Sequence, residues 1–176
     1  MAEIVANSVL PAKREAVTFT AADGVRIVGE LSTPLRPPRH VIVCLHPNPL
    51  QEGNMDSHLF RKMAWRFPAL FDCAVLRFNF RGVTSRAGTS EGTTDAGGAE
   101  GLDLAAALKF IDQRGLPRPW LVGWSFGTDV TLRHGADKAI EGAVLLSPPL
   151  RWTNIDDLDR WAASGKPLIC VVPELD

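Results

Sequence analysis

The sequence has no excess of charge of one sign, no tyrosine and only three cysteines. Its 19 lysines and arginines stand against 20 acids, so it lacks the basic excess with which proteins bind phosphate backbones or anionic membranes. Cys44, Cys73 and Cys170 each lie in an apolar run, without a CxxC pair or a neighbouring histidine. We therefore expect three buried, reduced thiols, and neither nucleic acid nor a membrane as a partner.

Long apolar segments are also missing. No stretch provides the ~20 apolar residues of a membrane helix, and residues 1–10 lack the basic and apolar regions of a signal peptide. We interpret the chain as cytoplasmic. Its 176 residues, 45% hydrophobic and 22% charged, favour one globular domain over residues 1–176.

Nucleotide and metal motifs are absent from the sequence. No Gly-x-Gly-x-x-Gly follows the first buried strand, and no Gly-x-x-x-x-Gly-Lys-Ser/Thr occurs anywhere. The histidines and acids do not have the spacing of metal ligands. We expect no cofactor and no metal.

Strand and helix patterns alternate along the chain. Two β-rich stretches flank Asp23-Gly24 and predict an antiparallel hairpin over 16–20 and 25–32. Unbroken apolar runs typical of strands covered on both faces follow at 40–45, 73–78, 120–124, 142–146 and 167–172. Helical patterns lie between them at 56–71, 99–114, 126–134 and 155–163, and a loop at 79–98 is interpreted as functional or mobile. The sequence therefore predicts an α/β fold with a mostly parallel sheet, helices on both faces and an N-terminal antiparallel hairpin.

A Gly-x-Ser-x-Gly pattern, Gly123-Trp-Ser-Phe-Gly127, stands where a predicted strand passes into a predicted helix. This context places a serine hydroxyl on a sharp turn at a helix N-terminus, beyond the carboxyl end of the strand, where α/β proteins bind ligands. Ser125 is therefore the predicted nucleophile. A second match at 88–92 has no apolar strand before it, so we interpret Ser90 as a loop serine.

A serine nucleophile also needs N–H groups that stabilise the oxyanion. The residue after the nucleophile, Phe126, provides one of them. The loop after the 40–45 strand is expected to provide the other, and because its two prolines lack an N–H, Asn48 is the favoured donor and Leu50 the alternative. We expect three nearby residues to line the pocket: His46, Leu50 and Trp124.

Together these patterns resemble the α/β-hydrolase family over nearly the whole chain. His46-Pro-Asn-Pro49, Gly53-Asn-Met-Asp56 and Arg77-Phe-Asn-Phe-Arg-Gly-Val83 are similar to a bacterial branch of small serine hydrolases, whose oxyanion loop reads His-Pro-His-Pro and is followed by Gly-Gly-x-Met. Asn48 and Thr84 depart from this pattern, because the branch has histidine and glycine there.

The resemblance implies a triad in the order serine, acid, histidine, with the acid in a segment like Gly-x-x-Asp after the 167–172 strand. Asp176 fits that place, and Glu174 fits it less well by register. No histidine follows Asp176. The resemblance thus implies a truncated domain that lacks a C-terminal strand and helix, with an exposed sheet edge that we expect a second copy, another chain or further residues to cover.

The four histidines of the sequence all precede the predicted acid: His40, His46, His58 and His134. Of these, only His58 stands where it could swing toward Ser125 as a replacement base, and it fits a pocket wall or surface position better.

Two function hypotheses follow. The first is a serine hydrolase that cleaves an ester, thioester or related acyl bond of a small-molecule substrate through an acyl-enzyme, impaired in this chain by the missing base. The alternative is a non-catalytic hydrolase-like module that binds or scaffolds. Arg77 and Arg81 near the end of the 73–78 strand could bind a substrate carboxylate or serve ion pairs and loop packing.

Overall fold

The computed structural model of the protein describes residues 4–174. This part of the chain contains nine strands: β1 (Lys13–Thr20), β2 (Arg26–Thr33), β3 (His40–Leu45), β4 (Cys73–Phe78), β5 (Thr84–Ser85), β6 (Gly88–Thr89), β7 (Trp120–Trp124), β8 (Gly142–Leu146) and β9 (Leu168–Val171). It also contains four α-helices: α1 (His58–Phe71), α2 (Glu100–Gln113), α3 (Phe126–His134) and α4 (Ile155–Ser164). A short 3-10 turn, Pro49–Gln51, follows β3.

Seven of these strands form one sheet in the order β1-β2-β4-β3-β7-β8-β9. β1 pairs with β2 and β2 with β4 in antiparallel orientation, whereas β4, β3, β7, β8 and β9 are parallel. The mostly parallel sheet with an N-terminal antiparallel hairpin confirms the fold prediction. The carboxyl ends of four neighbouring strands consequently lie side by side at one end of the sheet: those of β3, β7, β8 and β9.

Helices cover both faces of the sheet. Along β3, Val43 and Leu45 belong to one apolar cluster and Cys44 between them to another, because successive strand side chains point to opposite faces. The first cluster contains residues of α2, α3 and α4, and the second contains residues of α1, such as Phe60. The predicted two-sided arrangement is thus confirmed.

The start of α1 differs from the prediction by two residues. The helix begins at His58 with Ser57 as its N-cap, not at residue 56. The carboxylate of Asp56 accepts hydrogen bonds from Arg77 Nη1 at 2.7 Å and from the backbone N–H of Arg86 at 3.1 Å. Because these partners hold Asp56 outside the helix, the helix begins two residues later than predicted.

The 79–98 loop is held by acids at the start of α2. The carboxylate of Glu100 accepts hydrogen bonds from Thr94 Oγ1 and from the N–H groups of Asp95 and Gly97, at 2.6 to 2.9 Å. The loop also contains the β5–β6 hairpin, which the sequence pattern did not predict.

β9 is the outer strand at the parallel end of the seven-stranded sheet, opposite β1, and all four of its residues are exposed. Cys170 lies on this strand and is exposed, which corrects the expectation that all three thiols are buried. Cys44 and Cys73 are buried as expected, and burial raises the pKa of the Cys73 thiol to about 12. Between residues 4 and 174, no helix has both the length and the apolar character needed to cross a membrane.

Candidate active site

Ser125 lies at the turn between β7 and α3 in a strained conformation. Its φ of 49° and ψ of -116° place a residue with a side chain in a region that such residues rarely occupy. The turn is fixed because the Ser125 N–H donates to Leu146 O at 2.9 Å and the Ser125 carbonyl accepts from the N–H and the hydroxyl of Thr128. The Ser125 hydroxyl does not cap α3, and it makes no hydrogen bond to any residue that the structure describes.

Gly123 and Gly127, the two glycines of the Gly-x-Ser-x-Gly pattern, lie where neighbouring atoms leave no room for a Cβ. A Cβ on Gly127 would lie 2.0 Å from Leu45 O, and one on Gly123 would lie 2.6 Å from Gly127 O. Only residues without a Cβ allow α3 to begin this close to β3 and β7. The Gly-x-Ser-x-Gly pattern is therefore required here by packing as well as by the turn.

Two backbone N–H groups near Ser125 are available to a ligand. Phe126 is the first residue of α3, where the helix offers no carbonyl partner, and Asn48 lies in the loop after β3. Neither N–H donates a hydrogen bond to any described residue. The N–H of Leu50, the alternative donor, is already engaged by Asn48 Oδ1 at 3.0 Å. The geometry therefore favours Asn48 over Leu50 as the second donor.

The loop that carries Asn48 is tightly folded. The Asn48 carbonyl accepts from the N–H groups of Gln51 and Gly53, both at 3.0 Å. A Cβ on Gly53 would lie 2.1 Å from Pro47 O, so the loop closes only with glycine at this position. The Asn48 N–H is thus held in place by the loop around it.

A cavity of about 740 Å³ opens at the carboxyl ends of β3, β7, β8 and β9. It is lined by ten residues: Pro47, Asn48, Gln51, Trp124, Ser125, Ser147, Pro148, Pro149, Arg151 and Val172. Its size is within the range of pockets for small molecules. The predicted nucleophile, the predicted donor loop and the predicted pocket residue Trp124 thus share one cavity.

His46 and Leu50, predicted pocket residues, do not line this cavity. His46 is fully buried, and its Nε2 accepts the Phe80 N–H at 3.0 Å while Nδ1 lies 2.7 Å from Pro47 O. Burial lowers the pKa of His46 to about 4, so the neutral ring holds the loop in place. Leu50 is 81% exposed and borders a neighbouring cavity. These placements correct the sequence expectation, which followed chain position and could not foresee the contact between His46 and Phe80.

No histidine of the sequence lines the cavity with Ser125. His40 is the first residue of β3 and therefore lies at the amino ends of the parallel strands, away from the cavity. Nε2 of His134 lies 2.7 Å from Gly97 O. His58 is exposed, and its ring lies edge-on to Trp124 with 5.4 Å between the ring centroids. His58 therefore comes close to the cavity without reaching it.

Only part of the segment predicted to carry the catalytic acid lies within the described residues. Val172, directly after β9, lines the cavity, so the chain leaves the sheet beside Ser125. Glu174 is exposed, and Asp176, the predicted acid, lies outside the described residues. Nowhere in the described part of the chain do three histidine, cysteine, aspartate or glutamate side chains gather as around a metal ion.

The other singled-out side chains serve the fold. Arg77 pairs with Glu30 and Asp56, and Arg81 pairs with Asp103 and Asp23. The hydroxyl of Ser90 donates to Asn79 O at 2.8 Å and accepts the Val28 N–H at 3.0 Å, as suits a loop serine.

Sequence reasoning did not identify two polar cavity residues, Gln51 and Arg151. Arg151 follows the carboxyl end of β8, where functional side chains are expected. Strand position was the signal that could have identified it.

Comparison with known proteins agrees with this architecture. Residues 42–173 match the alpha/beta hydrolase family, and the chain belongs to this family. A curated relative, an uncharacterized protein of Rickettsia prowazekii (strain Madrid E), is 31% identical over 137 residues, which are 76% of this chain and 55% of that protein. The chain thus spans about half the length of this relative.

Solved structures share the fold. An alpha-beta serine hydrolase homologue from Coxiella burnetii aligns over 94% of this chain and 76% of its own, with 24% identity and a TM-score of 0.72. A lidless member of the a/b serine hydrolases from Xanthomonas campestris aligns over 96% of this chain and 87% of its own, with 23% identity and a TM-score of 0.72. At these identities the likeness shows the fold alone.

Proposed function

We propose that this chain carries the nucleophile and oxyanion site of a serine hydrolase that cleaves an ester, thioester or related acyl bond of a small molecule. The observation that carries the proposal is the turn at Ser125. Its strained backbone is fixed by hydrogen bonds, its hydroxyl makes no hydrogen bond to a described residue, and the residue lines a cavity. A strained serine between a strand and a helix in a cavity wall is the arrangement of a nucleophile elbow.

In the proposed reaction, Ser125 Oγ attacks the acyl carbonyl while a base accepts its proton. The carbonyl oxygen becomes an oxyanion, which accepts hydrogen bonds from the N–H groups of Phe126 and Asn48. The leaving alcohol or thiol departs with the proton, and water then hydrolyses the acyl-enzyme. Asp176 is the proposed acid that orients the base.

The loop motifs support the bacterial branch of small serine hydrolases proposed from the sequence. In that branch pattern His46 holds the loop by accepting the Phe80 N–H, and Gly53 lets the loop close on Pro47. Asn48 replaces the branch histidine, and a backbone N–H serves equally well from either residue. Asparagine in place of histidine thus changes the side chain at the cavity rim and keeps the backbone N–H donor.

The histidine base is proposed to come from polypeptide beyond the described sheet. All four histidines of the sequence lie outside the cavity, and the exposed β9 offers an edge on which a further strand can pair. We infer that residues 1–176 form one domain completed at β9 by a further segment, a second copy or another chain. Without that completion, hydrolysis is slow.

Active-site labelling tests the proposal. A fluorophosphonate probe should modify Ser125, as mapped by mass spectrometry, and Ser125→Ala should abolish labelling. Ser90→Ala, which removes the serine of the other Gly-x-Ser-x-Gly match, should leave it in place. Modification spread over other serines, or equal labelling of Ser125→Ala, would refute the nucleophile assignment.

Added imidazole tests the missing base. If Ser125 lacks only a proton acceptor, imidazole should accelerate its labelling in residues 1–176 and leave Ser125→Ala unlabelled. A non-catalytic module, the alternative function, predicts no response to imidazole.

A further inference from the structure

The cavity at Ser125 has a single charged side chain among its described lining residues. Arg151 lies there with four polar residues, Asn48, Gln51, Ser125 and Ser147, and no acid. Arg151 follows the carboxyl end of β8 and is exposed. Within residues 4–174 its guanidinium makes no ion pair or hydrogen bond. A cation without a partner among the described residues therefore lines the same cavity as the candidate nucleophile.

The backbone beside Arg151 is fixed. The buried Asp129 of α3 accepts at Oδ1 the N–H of Trp152 at 3.2 Å, the N–H of Thr153 at 3.1 Å and the Thr153 hydroxyl at 2.6 Å. The Trp152 ring lies edge-on to Phe126, with 5.4 Å between centroids. These contacts tie the residue after Arg151 to the first turn of α3, directly beside Ser125.

Two other arginines near the carboxyl ends of the strands, Arg77 and Arg81, are held in ion pairs within the protein. Both Nη atoms of Arg77 and both Nη atoms of Arg81 pair with carboxylates of the protein, at 2.7 to 3.5 Å. Their side chains are 6% exposed, so they contribute to the fold and not to the cavity. Arg151 is thus the guanidinium that the cavity offers to a ligand.

We propose that Arg151 binds a carboxylate on the substrate, so that the preferred substrates are acyl compounds that carry an anionic group beyond the scissile carbonyl, such as half-esters of dicarboxylic acids. This inference rests on the proposed hydrolase function. The planar guanidinium forms paired hydrogen bonds with a carboxylate, which orients the substrate as well as attracting it. Ser125 then meets the carbonyl at the other end of the ligand.

Equilibrium binding in the Ser125→Ala background tests the proposal without turnover. The two ligands are monomethyl glutarate, which carries one carboxylate, and dimethyl glutarate, its neutral counterpart. Dissociation constants come from NMR titration at low salt. We expect the monoanion to bind about tenfold more tightly than the diester, and Arg151→Gln to remove this preference. Arg151→Lys should keep part of it, because the charge remains while the paired geometry is lost.

Arg118→Gln is the matched control. Arg118 is also exposed and makes no ion pair within residues 4–174, but it borders a separate cavity before β7. Its removal should leave the preference unchanged. Equal binding of the two ligands, no binding of either, or a preference that survives Arg151→Gln would each overturn the proposal. If the preference holds while a fluorophosphonate fails to label Ser125 even with added imidazole, the anion site stands and the hydrolase function fails.

Discussion

At the scale of single residues, the geometry at Ser125 depends on a missing methyl group. A Cβ on Gly127 would lie 2.0 Å from Leu45 O, a backbone atom in the middle of the sheet. We predict that Gly127→Ala lowers the free energy of unfolding by about 3 kcal/mol, the upper part of the range for overpacking. Urea denaturation followed by circular dichroism measures the change.

Gly115→Ala provides the comparison. Gly115 has φ 64°, and no atom lies within 4 Å of the place that an alanine methyl group would take, so alanine there adds conformational strain alone and should cost about 1 kcal/mol. Equal losses for both variants would show that the contact with Leu45 is not what requires glycine at 127.

His46 makes stability depend on pH. Its pKa in the folded protein is about 4, against 6.5 for an unperturbed histidine, because burial disfavours the charged ring. The unfolded chain therefore binds more protons between these values. The contribution of His46 is fully present above pH 6.5 and is lost as the pH falls toward 4, about 3 kcal/mol in all.

The test compares the pH dependence of unfolding in wild type and His46→Asn. The wild type should lose more stability than the variant between pH 6.5 and 4. His134, whose pKa is also lowered by burial, titrates in both proteins and so cancels. Parallel pH profiles would mean that His46 is protonated in the folded state without cost.

The positions of the site residues were predicted well where local sequence spacing determines them, and less well where burial determines them. The place of Ser125 followed from the Gly-x-Ser-x-Gly pattern together with the predicted strand before it and the predicted helix after it. The burial of His46 depends on Phe80, 34 residues away in sequence, and no local pattern indicates that contact.

At the scale of elements, the start of α2 controls the long loop before it. Asp103 in the first turn of α2 is buried, and its carboxylate accepts the N–H, Nε and Nη2 of Arg81 at 2.8 to 3.3 Å. We predict that Asp103→Asn costs about 3 kcal/mol of unfolding free energy, because the buried guanidinium loses its charge partner. Asp23→Asn should cost much less, since that partner is 36% exposed and its charge is screened by solvent. Urea unfolding of both variants measures the difference, and similar costs would contradict it.

Element positions followed from periodicity. α4 is the clearest case: the predicted helix 155–163 agrees with Ile155–Ser164, which the structure shows to begin with a reciprocal capping box between Asn154 and Asp157. The two-residue strands β5 and β6 were missed, since Thr84–Ser85 and Gly88–Thr89 have no apolar alternation and pair across a polar turn. Apolar pattern thus identifies elements that build the core and overlooks those held by loop hydrogen bonds.

At the scale of the whole molecule, alternation of strands and helices predicted a parallel sheet, and parallel strands bring their carboxyl ends together. The cavity with Ser125, Asn48 and Ser147 follows from that arrangement. Strand order was not predictable in the same way, because β4 lies between β2 and β3 through crossover connections that leave no local signal. The exposure of Cys170 has the same origin, since it depends on β9 being outermost.

The outer strand leads to a prediction about self-association. Leu168, Ile169, Val171 and Val172 are 39% to 64% exposed, and Ile169 borders an apolar groove that runs from Phe67 of α1 across the face of β7 and β8. Unpaired backbone groups beside apolar side chains favour pairing with another chain. We expect residues 1–176 to self-associate with increasing concentration in sedimentation velocity.

A charge on that strand should reverse the effect. Ile169→Lys places a cation at the edge and in the groove, so it should shift the protein toward monomer at equal concentration. Leu35→Lys changes an apolar residue that is 73% exposed in the loop before β3, far from β9, and should leave the association unchanged. If both variants act alike, general hydrophobicity drives the association. If the wild type is monomeric at all concentrations, the apolar edge alone does not recruit a second copy, and a segment of different sequence is the better candidate for completing the sheet.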